Sequence, residues 1–206
     1  MRTIAFLSQK GGSGKTTLAV HIAVAASQNE RVILIDTDPQ GSALAWATAR
    51  KHKNPPVQRA IPSALANIMA KARQDEVTLT IIDTPPHATP GVDIVAASAD
   101  LLLIPCRPSA FDLAAITSSV QVAKAAKAHA AFILNACNPR APEVREARRV
   151  LERHGFPLCP TATGQRTPYS RAVSTGRAVT EFEPGGKAAE EITALWEWIY
   201  QTMEGK

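Results

Sequence analysis

The chain has 206 residues, of which 45% are hydrophobic and 20% charged, and it carries a formal net charge of +5 at pH 7. This length supports one well-buried core, and the balance excludes a disordered, fibrous or disulfide-scaffold protein. The positive excess attracts polyanions at low salt without separating nucleic acid from acidic lipid. No apolar run reaches the roughly 18 residues that span a bilayer, and Met1-Arg2-Thr3 leads into a strand rather than a signal peptide. A cytoplasmic protein is expected. Cys106, Cys137 and Cys159 are odd in number and far apart, so they form neither a disulfide framework nor a C-x-x-C motif and read as small buried hydrophobes.

In chain order, short apolar runs alternate with helical patterns. Strands are predicted at Thr3 to Leu7, Val32 to Ile35, Leu79 to Ile82, Leu101 to Ile104 and Phe132 to Leu134, with a short one allowed around Val57 to Ile61. Helices are predicted at Thr16 to Gln28, Ser42 to Lys51, Ser63 to Gln74, Asp112 to Ala128, Pro142 to His154 and Gly186 to Met203. Strands apolar on both faces and short connections specify a doubly wound α/β fold, with a mostly parallel sheet between two helical layers. The proline-rich stretches at 54–56 and 85–91 read as loops, too short to divide the chain, so one domain is expected over residues 1–206. The last helix carries Ile192, Leu195, Trp196, Ile199, Tyr200 and Met203 at core-facing spacing, and Glu190, Glu191, Glu197 and Glu204 argue against a membrane-binding face.

The chemistry begins at Gln9-Lys10-Gly11-Gly12-Ser13-Gly14-Lys15-Thr16-Thr17, between the first strand and the first helix. Glycines there let backbone N–H groups converge on an anion that the helix N-terminus also favours. The strict phosphate-loop pattern G-x-x-x-x-G-K-[ST] fails because Gln9 stands where its first glycine belongs. The geometry of such loops nevertheless assigns Lys15 to the β- and γ-phosphates of ATP, the Thr16 hydroxyl to Mg²⁺, Thr17 to the α-phosphate and the N–H groups from Gly12 to Thr17 to the cradle. Two further strands end in acids, Leu34-Ile35-Asp36-Thr37-Asp38 and Thr80-Ile81-Ile82-Asp83, at the carboxyl edge where parallel sheets bind ligands. Asp36 and Asp38 also suit helix capping, whereas Asp83, after a buried-looking strand, is placed to hold a water of the Mg²⁺ shell.

The run Lys10-Gly11-Gly12-Ser13-Gly14-Lys15-Thr16-Thr17, with its second lysine, resembles the deviant Walker A loop of the ParA/MinD family of ATPases. That resemblance implies a face-to-face ATP dimer in which Lys10 reaches the partner's nucleotide, Asp38 positions the attacking water and Asp36 supports the Mg²⁺ shell. It also implies that Asn135, at the end of the Phe132 strand, meets the adenine edge; a lone Asn there is equally a turn residue. The stretch from Ile104 to Leu113 is similar to the family's third motif, whose helix lines the dimer interface, with Ser109 or Asp112 as a plain N-cap in the alternative reading. The loop at 85–91 is the natural switch near the γ-phosphate.

Arginines crowd the last third. Arg145, Arg148 and Arg149 share a helix with acids, whereas Arg166, Arg171 and Arg177 fall in loop-like, acid-poor sequence suited to sequence-independent contact with DNA phosphates. The resemblance, with a nucleotide strand starting at Thr3 and no room before it for a helix-turn-helix, implies a short ParA-type partition ATPase. Such a protein dimerises on ATP, coats nonspecific nucleoid DNA and is released when a ParB-like centromere-binding adaptor stimulates hydrolysis. Two rivals remain: a MinD-like or cargo-positioning ATPase acting on a membrane or polar protein cluster, and a metabolic relative among amidoligases or nitrogenase iron proteins. The cysteine pattern and the lack of a spare acid-binding domain weigh against the second.

Overall fold

The structure is a computed structural model that describes residues 1–86, 90–138 and 140–205. Six parallel strands form one sheet: β1 (Arg2–Phe6), β2 (Val32–Asp36), β3 (Val57–Arg59), β4 (Leu79–Asp83), β5 (Leu101–Cys106) and β6 (Ala130–Leu134), in the spatial order β3-β2-β4-β1-β5-β6. The doubly wound parallel sheet expected from the alternation is what forms.

The period-two alternation of side chains divides each central strand between two cores. Ile4, Phe6, Leu34, Ile81, Leu101 and Leu103 face one layer, made by α1 (Lys15–Ala26), α2 (Ser42–Ala49), α7 (Thr167–Ser174), α8 (Val179–Phe182) and α9 (Lys187–Glu204). Ala5, Leu7, Ile35, Ile82, Leu102 and Ile104 face the other, made by α3 (Leu65–Gln74), α4 (Val92–Ser98), α5 (Ala110–Ala125) and α6 (Pro142–Glu152). Because α1 lies between the sheet and α9, every residue from Leu18 to Ala26 is buried, which explains its lack of a polar face. By contrast α6 buries only Val144, Ala147 and Leu151 and leaves Arg145 and Arg149 in solvent.

Three helices depart from the sequence expectation. One, α4, forms just after the proline-rich loop, in a stretch given no element, and α7 lies in a stretch read as loop-like and opens with Pro168 in its first turn, where a missing N–H costs nothing. The third, α8, spans only four residues, too few for a periodic signal. No helix among the described residues is long and apolar enough to cross a membrane.

The register sets Asp36 of β2 directly beside Asp83 of β4, and Phe6, the last residue of β1, on the other side of Asp83. The acids and the loop leaving β1 therefore share one end of the sheet.

Candidate functional site

The loop between β1 and α1 turns twice through left-handed conformations, at Gly12 (φ 75°) and Gly14 (φ 100°). A Cβ at Gly14 would stand 1.9 Å from Asn135 Nδ2, so glycine is required there for space as well as for φ. Lys15 opens α1, and its ammonium donates back to the Lys10 carbonyl at 3.4 Å. Burial lowers the Lys15 pKa, while Asp83 and Asp38 pull it up. A buried cation at a helix N-terminus, faced by carboxylates, is arranged for an anion and a metal together.

Thr16 Oγ1 donates to Asp83 Oδ2 at 2.6 Å, which places two of the three expected metal residues in contact. The other oxygen, Asp83 Oδ1, is buried without a partner. The carboxyl is pushed up to about 7, first by burial and then by the charges of Asp36 and Asp38, against the Thr16 hydrogen bond and Lys15. A buried carboxylate with an orphan oxygen and too little positive charge around it fits Mg²⁺, with Thr16 and Asp83 as the residues that would hold it and its water shell. Ser13 Oγ is likewise buried and unpartnered at the loop.

The two acids after β2 differ from each other. Asp36 accepts from the Asp38 N–H on one oxygen and from the Leu44 N–H on the other, both at 3.0 Å. Its carboxylate therefore organises the turn and the start of α2, at the strand end that it shares with Asp83. Asp38 is buried, accepts from the Gln40 N–H at 2.9 Å and lies close enough to Lys15 to raise its pKa. A water-positioning carboxylate needs that location. The proline-rich switch falls partly on residues 87–89, outside the described residues; Pro86 lies beside Gly11, and the Thr84 hydroxyl donates to the Phe6 carbonyl at 2.7 Å.

Asn135 is tied to the phosphate loop. Its Nδ2 donates to the Ser13 carbonyl at 2.6 Å and its Oδ1 accepts from Thr163 Oγ1 at 2.6 Å. Each end of the amide holds one partner inside the protein, so Asn135 grips the phosphate loop, and its second N–H and second lone pair lie at the wall of the neighbouring cavity. Next to it opens a cavity of about 730 Å³ whose walls include Gly14, Thr17, Arg107, Gln165, Arg166 and Tyr169. It continues directly from the phosphate loop and has the size of a nucleoside site.

That cavity also takes part of the proposed DNA stripe. Arg166 is ion-paired with Glu191 of α9 at 2.7 Å. Glu191 accepts in addition from the Gly164 N–H at 2.9 Å and the Tyr169 hydroxyl at 3.0 Å. Arg177 lies over the Phe182 ring, 4.7 Å from its centroid, and its Nε donates to Thr175 Oγ1. Arg171 is exposed on α7. The three arginines thus have different surroundings: Arg166 walls the cavity, Arg177 is stacked on Phe182 and Arg171 faces solvent. Ser109 caps α5 by accepting from the Asp112 N–H at 3.2 Å, as the plain reading of that turn expected, and Phe111 beside it is 82% exposed.

Glu191, Thr163 and Tyr169 were not singled out as site residues from sequence. Glu191 had a signal: it stands three residues after Ala188 and four before Leu195, within the apolar stripe of α9, where a carboxylate needs a buried partner.

The model of the CobQ/CobB/MinD/ParA nucleotide binding domain matches residues 4–179. Two curated relatives are similar over nearly the whole chain, both named maintenance of carboxysome distribution protein A. The one from Halothiobacillus neapolitanus is 30% identical over 94% of this chain and 94% of its own length. The one from Gloeobacter kilaueensis is 32% identical over 98% of this chain and 94% of its own. Among solved structures, the septum site-determining protein MinD of Pyrococcus horikoshii, complexed with Mg-ADP, superposes with a TM-score of 0.78 at 18% identity, covering 96% of this chain and 95% of that one. The phosphate loop, the strand-end acids and the matched sequence lead to one conclusion: the chain belongs to the CobQ/CobB/MinD/ParA nucleotide binding domain family, as a ParA/MinD-type ATPase whose cofactors are ATP and Mg²⁺.

Proposed function

We propose that this ATPase distributes a large protein assembly, the cargo-positioning reading, rather than segregating a replicon. The observation that carries the proposal is the end-to-end similarity to two proteins named for maintaining carboxysome distribution. In this reading Lys15, Thr16 and Asp83 hold ATP and Mg²⁺, Asp38 positions the water, and Lys10 crosses to the nucleotide of a second copy. ATP then closes a homodimer, and the exposed Phe111 at the start of α5 belongs to the closing face. An adaptor protein on the cargo, in the place a ParB-like partner takes in partition, triggers hydrolysis and release. The net positive charge and Arg171 attach the dimer to nonspecific DNA, which serves as the track, at the nucleoid of the cytoplasm.

The test replaces the protein in its host with Lys15→Ala and follows both cargo and replicons. Clumped protein assemblies with normal inheritance of every replicon are expected. Lost inheritance with evenly spread assemblies would restore the partition reading. Co-sedimentation with ATP separates the tracks: binding to DNA that weakens with salt is expected, and binding to anionic liposomes but not DNA would replace the nucleoid with a membrane.

A further inference from the structure

We infer that Asn135 and Thr163 are positioning residues for ATP binding, a relay that fixes the phosphate loop from the far side of the sheet edge. Asn135 follows β6 and its backbone is pinned by its own N–H on the Cys106 carbonyl at 2.9 Å. Thr163 is fixed independently, by its N–H on the Leu134 carbonyl at 3.0 Å and by its carbonyl accepting from the Cys137 N–H at 2.9 Å. Asn135 is 8% exposed and Thr163 fully buried, so the Thr163 hydroxyl has no water as an alternative partner.

The chemistry of the chain of bonds has a direction. A threonine hydroxyl that donates to Asn135 Oδ1 leaves only the NH₂ end of the amide for the Ser13 carbonyl. The peptide between Ser13 and Gly14 is planar and trans, so holding its C=O toward Asn135 aims the Gly14 N–H the opposite way, away from Asn135. Gly14 is the residue at φ 100°, the turn on which the convergence of N–H groups depends. Without the Thr163 hydroxyl the amide loses its orienting donor, and a flipped Asn135 would set its oxygen against the Ser13 carbonyl. The relay also explains why the Gly14 Cβ position is filled by an amide nitrogen: the grip is at contact distance. Since Gln165, Arg166 and Tyr169 follow Thr163 directly into the cavity wall, the relay joins the base half of the site to the phosphate half.

The test distinguishes a grip on the phosphate loop from direct recognition of a base. Thr163→Val, which keeps the volume and removes the donor, is compared with wild type for binding of Mg-ATP, of inorganic magnesium tripolyphosphate, which has no base, and of Mg-GTP, whose base offers different donors and acceptors. A lost buried hydrogen bond corresponds to about a tenfold change in affinity. The relay predicts that all three probes weaken by about that factor with the ATP-to-GTP ratio unchanged, and that Thr163→Ser restores them. If ATP weakens while tripolyphosphate does not, or if the ATP-to-GTP ratio collapses, Asn135 reads the base and the proposal fails; unchanged affinity for every probe also overturns it. Thr163→Ala is measured alongside, and the comparison uses whichever variant keeps the wild-type circular-dichroism spectrum.

Discussion

The phosphate half and the base half of the site lie side by side at one end of the sheet, and they are built in opposite ways. The phosphate half is local: eight consecutive residues, Lys10 to Thr17, with acids from two neighbouring strands. The base half is assembled from distant places: Arg107 after β5, Asn135 after β6, the segment from Thr163 into α7, and Glu191 of α9, which ties Gly164, Arg166 and Tyr169 together. Point charges and special backbone angles carry the first, and they leave a signature in any short stretch. Shape carries the second, and shape is made by whatever elements the fold brings into register.

This contrast can be broken or sharpened by mutation, beginning with the largest effect. Lys15→Ala removes the only charge-assisted donor that α1 itself offers to the phosphates and should weaken ATP at least about 100-fold in a calorimetric titration; retained affinity would show that the phosphate half is not confined to its loop. Asp38→Ala should leave ATP-dependent dimerisation intact by light scattering while turnover falls on the order of 100-fold, because its role is in the reacting geometry rather than in binding. On the base side, Glu191→Ala frees Gly164, Arg166 and Tyr169 at once and should weaken ATP about tenfold with a small loss of thermal stability. An effect as large as that of Lys15→Ala would mean that the base half, not the loop, dominates affinity.

The smallest effect tests the seam between the halves. His21 of α1 is completely buried, accepts from the Val179 N–H at 3.2 Å and meets the Tyr169 ring edge-on with centroids 5.2 Å apart. Burial holds its pKa at about 3, against the attraction of Glu181. A folded-state value below the unfolded 6.5 means that the unfolded chain binds the extra proton, so stability is full above about pH 6.5 and falls as the pH drops toward 3. Lowering the pH from 6.5 to 5.5 should cost about 1 kcal/mol in urea unfolding, and His21→Gln should flatten that dependence. An unchanged slope would show that the imidazole does not carry it.

The same contrast explains what could be read in advance. The alternating sheet, the phosphate loop and the acids that end β2 and β4 follow from patterns a few residues long, whereas the contact between Thr16 and Asp83 joins residues 67 positions apart. Asp36 illustrates the boundary: its place at a strand end was legible, but that both oxygens cap the Asp38 and Leu44 amides was not. Arg166 illustrates it further. Sequence showed a basic residue in an acid-poor stretch, whereas its partner, Glu191, is 25 residues away.

The sequence by itself determined the layered α/β fold and the phosphate-binding chemistry, because alternating burial and glycine-dependent backbone angles are written in neighbouring residues. Only the tertiary structure decided that Asn135 turns to Ser13, that α7 replaces a loop and that Arg166 pairs with Glu191. Those outcomes depend on pairings between residues from 25 to 122 positions apart, where a buried donor takes whichever acceptor the fold brings within reach.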